Sequence, residues 1–249
     1  MHNSFKNKTI LVTGATRGIG KQVAEDLYNS GACLLLTGTN IEEIEMLNEA
    51  ATRLGESKKY FCVDFSDASS VEQFLTELRA IVKIDCLVNN AGINRLNYID
   101  QAVDADWDNM LSVNLSTPFK IIREVSVKMK KQQYGRIVNI ASIFSKISKE
   151  RRSVYSATKF GLHGLTVGAS NDLARYNILV NTLSPGFVLT DLTRNNLSEK
   201  EMQELSSIIP ARRLAGVKDI SNVALFLLSD LNQYLTGQNI IVDGGFTNI

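Results

Sequence analysis

The stretch SVYSATKFG, residues 153–161, places a phenol and an ammonium four positions apart, at Tyr155 and Lys159. On a helix, positions i and i+4 share one face, so both groups can point into one cavity. A free tyrosine has a pKa of about 10, and a positive neighbour lowers it by favouring the phenolate. Such a pair could therefore do proton-transfer chemistry near neutrality. The spacing alone is common, so the rest of the chain decides whether a cavity exists and what fills it.

A second cluster lies at the other end of the chain. TGATRGIG, residues 13–20, follows the apolar run TILVTG and opens a helical stretch from Gly18 to Ser30. In strand–turn–helix context this reads as a seat for a dinucleotide pyrophosphate. Gly14 permits the tight turn, small residues let the phosphates approach the backbone, and the helix N-terminus supplies N–H donors. Gly14, Thr16, Arg17, Gly18, Ile19 and Gly20 are the candidate contacts, with spacing G-x-x-x-G-x-G.

Cofactor choice is written after the second strand, as Thr37-Gly38-Thr39-Asn40, with no acid before Glu42. An acid there would accept from the ribose 2′-OH of NAD. Its absence, with Arg17 available to pair with a 2′-phosphate and Thr37, Thr39 and Asn40 to hydrogen-bond it, favours NADP(H). No basic residue stands at 38–40, so NAD(H) remains open. Asp64, followed by Phe65, could accept from an adenine amino group or cap a helix. Asn89, Asn90, Ala91 and Gly92 end a further strand and could floor the cleft, as structure or as function.

The elements that must position these residues alternate. Strand-like runs begin near residues 9, 33, 59, 84, 135, 178 and 238, with helical stretches between them. Continuous Val/Ile/Leu strands predict a parallel sheet buried on both faces, an α/β fold. No linker or repeat interrupts residues 1–249, so one domain is expected, with the polar insertion at about 188–212 placed as a substrate lid. Net charge is +1 with 21% charged residues, which gives no general attraction for nucleic acid. No apolar run is long enough to span a membrane, and the N-terminus has no signal-peptide pattern. Cys33, Cys62 and Cys86 are expected to be buried, free thiols in a reducing cytoplasm. No spacing suggests a metal site.

Taken in order, TGATRGIG, NNAG, Asn114 in SVNLS, Ser142 in NIASIFS, YSATK and SPGFVLT resemble the short-chain dehydrogenase/reductase family, from about Lys8 to Gly245. The resemblance implies a Rossmann-type, doubly wound, seven-stranded parallel sheet with helices on both faces. It implies Tyr155 as the proton donor or acceptor in carbonyl reduction or alcohol oxidation. Lys159 would lower the phenol's pKa and bind the nicotinamide ribose. Ser142 would hydrogen-bond the substrate oxygen, and Asn114 would hold a water linking the lysine to solvent. Pro185, Gly186, Val188 and Thr190 match the segment along the nicotinamide. The family usually forms homotetramers through helices here at about 114–131 and 154–176. A small-residue face with Ala157, Gly161, Gly164, Gly168 and Ala169 suits that contact or packing within the subunit.

The substrate is less legible. The tail, IPARRLAG through YLTGQNIIVDGG, is similar to the 3-oxoacyl-(acyl-carrier-protein) reductase branch. Gln133 and Tyr176 stand where that branch has carrier-gripping arginines, with Lys128, Lys130, Lys131 and Arg175 nearby. The loop SKISKERRS, residues 145–153, is unlike that branch. Its Lys146, Lys149, Arg151 and Arg152 are either a solvated charge run or a seat for an anionic, sugar-type substrate. A fatty-acyl substrate is the alternative, and a dinucleotide-sensing protein without catalysis is a minor one. Trp107 is expected in the core, and His163 as a packed or interface imidazole.

Overall fold

A computed structural model describes residues 4–190 and 198–248. Seven parallel strands form the main sheet: β1 (Thr9–Val12), β2 (Cys33–Gly38), β3 (Lys58–Cys62), β4 (Cys86–Asn89), β5 (Gly135–Ile140), β6 (Ile178–Pro185) and β9 (Asn239–Val242). Their order is β3-β2-β1-β4-β5-β6-β9. The chain winds outward from β1 in one direction, then returns to β4 and winds in the other. The switch between β1 and β4 opens a crevice at the strands' carboxyl ends, where ligands of such sheets bind. Two strands that the sequence does not announce, β7 (Val188–Leu189) and β8 (Ala215–Gly216), pair beside it.

Alternation along the strands divides the core. Ile10, Val12, Leu34 and Leu36 face one side with Val23, Ala24 and Leu27 of α1 (Gly18–Asn29). Leu11, Leu35 and Ile137 face the other, against Phe74 and Leu78 of α3 (Ala68–Ala80) and Ile121 and Val125 of α5 (Thr117–Gln132). A period of two that is apolar on both sides is what a sheet covered on both faces requires. Among the described residues the remaining α-helices are α2 (Ile41–Leu54), α4 (Asp104–Leu111), α6 (Ser153–Leu173), α7 (Glu199–Ser207) and α8 (Val217–Leu228). α7 is closed by a capping box in which Ser198 and Glu201 satisfy each other's backbone N–H groups. It lies within the expected lid, part of which (191–197) falls outside the described residues.

Three expectations about packing are corrected. Trp107 is 43% exposed on α4, because the apolar face of this short helix is narrow and only Met110 is buried. Cys33 and Cys62 are exposed: they lie at the first residue of β2 and the last of β3, where the covering helices do not reach. Cys86 is buried, and burial pushes its thiol up to about 12, so it stays neutral. No helix is long and apolar enough to cross a membrane among the described residues.

Candidate active site

The dinucleotide end is built from backbone. Gly14 and Gly18 adopt φ of +62° and +56°, a region that costs other residues energy. At Gly20 a Cβ would lie 2.2 Å from the Gly14 carbonyl oxygen and 2.4 Å from Asn90 Nδ2, so only glycine fits. Asn90 Nδ2 donates to the carbonyls of Thr13 and Gly14, both at 2.9 Å. The N–H groups of Asn90 and Ala91 both donate to Thr13 Oγ1 at 3.0 Å. Gly14 N–H donates to Thr37 Oγ1 at 3.0 Å. The loop after β4 thus ties down the loop after β1. Thr13 and Thr37, which the motif reading did not single out for this, are its hydroxyl pins; both are buried strand ends, a weak but readable signal.

Arg17 is exposed as the N-cap residue of α1, with extended backbone and no side-chain cap. Ile19 packs against the core from α1. Thr16 lies where a Cβ on Gly38 would fall 2.5 Å from its methyl, so that glycine holds Thr16 close to β2. Among residues considered for a 2′-phosphate, Thr37 is buried and engaged by Gly14, and Asn40 caps α2 by accepting from Glu43 N–H at 2.8 Å. Arg17 and the exposed Thr39 remain. Asp64 is not the cap of α3: that is Asp67. Its Oδ1 instead accepts from the N–H and hydroxyl of Ser66 at 2.8 and 2.6 Å. Phe65 is buried beside it and accepts at its carbonyl from Ser112 Oγ.

The loop residues exclude side chains where a ligand needs space and carry no acid where a 2′-phosphate would sit. The cradle therefore fits a dinucleotide, and NADP(H) in particular. Across the crevice, Pro185 and Val188 are buried, and Gly186 N–H donates to Val242 carbonyl at 2.9 Å. A Cβ on Gly186 would lie 2.8 Å from Asp243. Thr190 closes toward the glycine loop, its methyl 3.6 Å from where a Gly18 Cβ would be.

The reacting end is built from side chains. Ser142 follows β5, and Tyr155 and Lys159 rise from the first turns of α6. Lys159 Nζ donates to the Ile140 carbonyl at 3.0 Å and stands 5.6 Å from the Tyr155 ring centre. Burial pushes Lys159 down to about 8. Burial also raises Tyr155, opposed by the Ser142 hydroxyl and the Arg152 guanidinium. Arg152 was only one of four cations in a loop on sequence grounds; its position beside the phenol is a structural finding.

Asn114 lies in a single π turn (Ser112–Ser116) between α4 and α5, fully buried. Such turns often mark functional sites. Its Oδ1 accepts from Ile93 N–H and its Nδ2 donates to Ile93 carbonyl, both at 2.9 Å, and to Thr158 Oγ1 at 3.1 Å. A Cβ on Gly92 would fall 3.3 Å from Asn114 Oδ1 and 3.5 Å from Lys159 Nζ. Gly92 therefore keeps the space between amide and ammonium open. His163 Nδ1 pairs with Thr182 Oγ1 at 3.1 Å, within a buried polar chain through Thr166, Asn139 and Asn89. That is a packed imidazole, as expected.

A cavity of about 810 Å³ lies under α7, lined by Leu189, Met202, Arg212 and Leu214 among others. None of the four reacting residues lines it, so the side-chain geometry, not this cavity, defines the site.

A doubly wound sheet with a phosphate cradle after β1 and a Ser–Tyr–Lys cluster beyond β5 defines a dinucleotide-dependent oxidoreductase of CH–OH and C=O groups. Residues 14–247 match the family model described as enoyl-(acyl carrier protein) reductase. The chain is 38% identical over 247 residues to the 3-oxoacyl-(acyl-carrier-protein) reductase FabG of Aquifex aeolicus, covering 98% of this chain and 99% of the relative. It is 36% identical to that of Escherichia coli K12, covering 97% and 98%. A gluconate 5-dehydrogenase from Burkholderia cenocepacia J2315, solved with NADP and tartrate, superposes with a TM-score of 0.90 at 32% identity, covering 99% and 98%. The chain belongs to the short-chain dehydrogenase/reductase family.

Proposed function

We propose that this chain uses NADP(H) to interconvert a carbonyl and a secondary alcohol on a polar, anionic, sugar-type substrate. The observation that carries the substrate reading is the basic loop 146–152, which opens beside Tyr155. It is supported by the gluconate 5-dehydrogenase likeness, since gluconate is a carboxylate-bearing sugar acid. In this reading Gly14, Thr16, Gly18, Ile19 and Gly20 cradle the pyrophosphate, Arg17 and Thr39 take the 2′-phosphate, and Asp64 and Phe65 flank the adenine. Asn90, Ala91 and Gly92 floor the cleft, and Pro185, Gly186, Val188 and Thr190 back the nicotinamide.

When bound, the nicotinamide supplies or accepts the hydride. Tyr155 gives its phenolic proton to the substrate oxygen during reduction and takes it back during oxidation. Ser142 donates to the same oxygen and stabilises the charge that develops there. Lys159 binds the ribose and returns a proton toward Tyr155, and the open space beside Asn114 lets water complete the path. Val188–Thr190 and α7 cover the substrate, as part of a lid at 188–212 on one domain over 1–249. The protein is cytoplasmic in this account, with no nucleic-acid or membrane partner.

A homotetramer is supported by the outer face of α6. Phe160 and Val167 are exposed there, and nothing lies within 4 Å of a Cβ built on Gly164 or Gly168. Gly161 instead meets Leu115 of its own subunit.

The second reading, reduction of a 3-oxoacyl thioester, is favoured by the 36–38% identity to such reductases. The residues at the carrier-gripping places do not favour it. Gln133 Nε2 donates to the Lys130 carbonyl, and the Tyr176 ring is flanked by Lys130 and Arg175 at 5.2 and 5.0 Å. Titration with NADPH and NADH, followed by turnover on 5-ketogluconate and acetoacetyl thioester, tests both. NADPH-dependent reduction of the keto acid is expected; robust thioester turnover with none on the keto acid removes the sugar-type reading.

A further inference from the structure

The four cations of the loop before Tyr155 part company in the folded chain. Lys146 donates to Asn248 Oδ1 at 3.3 Å. Lys149 stands over the Phe187 ring at 5.9 Å. Arg151 adopts φ +64°, donates to the Leu96 carbonyl at 3.4 Å and stands over the Tyr98 ring at 5.6 Å. Arg152 turns inward. Its guanidinium carbon lies 5.1 Å from the Phe144 ring centre and 6.0 Å from that of Tyr155. Phe144 and Tyr155 pack edge to face at 6.1 Å, so the guanidinium completes a triangle with the reacting ring.

Arg152 has no carboxylate partner among the described residues, and its Nε is buried without a hydrogen bond. Arg152 as a whole is half-buried, and buried N–H donors such as its Nε are normally paired. Leaving one unpaired at a site where a ligand must enter is accounted for if the ligand brings the partner. The planar fork of arginine matches the oxygens of a carboxylate or phosphate, and it remains charged at any working pH. A neutral acyl chain offers this donor nothing.

We propose that Arg152 is the substrate's oxyanion receptor: it pairs with a carboxylate or phosphate carried a few bonds from the carbon that reacts at Tyr155. This rests on the anionic-substrate reading above and narrows it from a basic loop to one side chain. Lys146, Lys149 and Arg151, held on Asn248, Phe187 and Tyr98, shape the loop and do not grip the anion. Arg152 then acts as a specificity residue, because an oxyanion-bearing substrate gains this contact and a neutral ketone does not.

The test is calorimetric binding to the NADP-loaded protein, with 5-ketogluconate as the carboxylate probe and fructose 6-phosphate as the phosphate probe. Wild type is expected to bind one of them, and Arg152→Met to bind it roughly 10- to 100-fold more weakly, the range for a hydrogen bond to a charged group. Arg152→Lys, which keeps charge without the fork, should fall between. An unchanged NADP affinity in each variant shows that the fold is intact. If Arg152→Met does not fold, Arg152→Lys carries the test alone, as a weakening of several-fold. In turnover, both ketones lose whatever the guanidinium contributes at the Tyr155 phenol, and the oxyanion-bearing ketone should lose roughly 10-fold or more beyond what ethyl acetoacetate, a neutral ketone, loses. No binding of either probe to wild type, equal binding by the variants, or equal loss on charged and neutral ketones overturns the proposal. Binding with the expected Arg152 dependence but no NADPH oxidation would leave the receptor standing and sink the oxidoreductase role.

Discussion

The two ends of the crevice are made differently. At the dinucleotide end, Gly14, Gly18 and Gly20 are shaped by backbone that Asn90, Thr13 and Thr37 hold with hydrogen bonds of 2.9–3.0 Å. At the reacting end, Tyr155, Lys159 and Arg152 are positioned as side chains, and all three have their pKa displaced chiefly by burial against their charged forms. The first end is built for close approach and loses by any added atom. The second holds strained electrostatics and can gain stability when a functional group is removed, as active sites commonly do.

That contrast can be broken most easily at Gly20. Gly20→Ala puts a methyl into the Gly14 carbonyl and the Asn90 amide, an overpacking cost of about 3 kcal/mol. Denaturant unfolding should show that loss, and NADPH binding should disappear with it. Near-wild-type stability would mean that the loop has slack and that backbone geometry does not set this end.

Lys159→Met should do the opposite. The fall from 10.5 to about 8 penalises the charged form by roughly 3 kcal/mol at about 1.4 kcal/mol per pKa unit. Below pH 8 both folded and unfolded chains hold the proton, and the full penalty applies. Between pH 8 and 10.5 the unfolded chain binds more protons, so wild-type stability rises with pH and the penalty fades. The variant should therefore melt several degrees higher than wild type at pH 7, the gap closing toward pH 10.5, while turnover is lost. A gap independent of pH would remove the buried ammonium from the account.

The smallest contrast is between two glycines. Gly164, unlike Gly20, has nothing within 4 Å of a built Cβ. Gly164→Ala should stabilise an isolated subunit by about 1 kcal/mol through helix propensity. If α6 packs on a second copy, sedimentation should instead show weaker assembly. A tetramer unaffected by the change would move the interface elsewhere.

The same contrast explains what could be read in advance. Backbone requirements leave residue types behind: a glycine at each tight position, Asn90 where an amide must bridge two loops, Val/Ile/Leu in strands covered on both faces. The seven strands and the cradle are therefore legible in the residues, while the doubly wound arrangement is legible only through the family resemblance. Side-chain direction leaves no such trace. SKISKERRS names four cations, yet only folding turns Arg152 toward Tyr155 and Arg151 toward Tyr98. Asn40 looked available for a phosphate because its capping bond to Glu43 is indistinguishable, as a residue type, from a ligand contact. Trp107 was misplaced because burial depends on which helices pack beside α4, and no pattern within the chain of eight residues states that.

The measurement that bears most directly on the chemistry is Tyr155→Phe, which deletes one oxygen. With NADPH and a reducible ketone, turnover should fall by about 10²- to 10⁴-fold, the worth of a positioned proton donor. NADPH affinity and thermal stability should stay close to wild type, since the dinucleotide end does not depend on the phenol. Turnover near the wild-type rate in that variant would contradict the assignment of Tyr155 as the group that moves the proton.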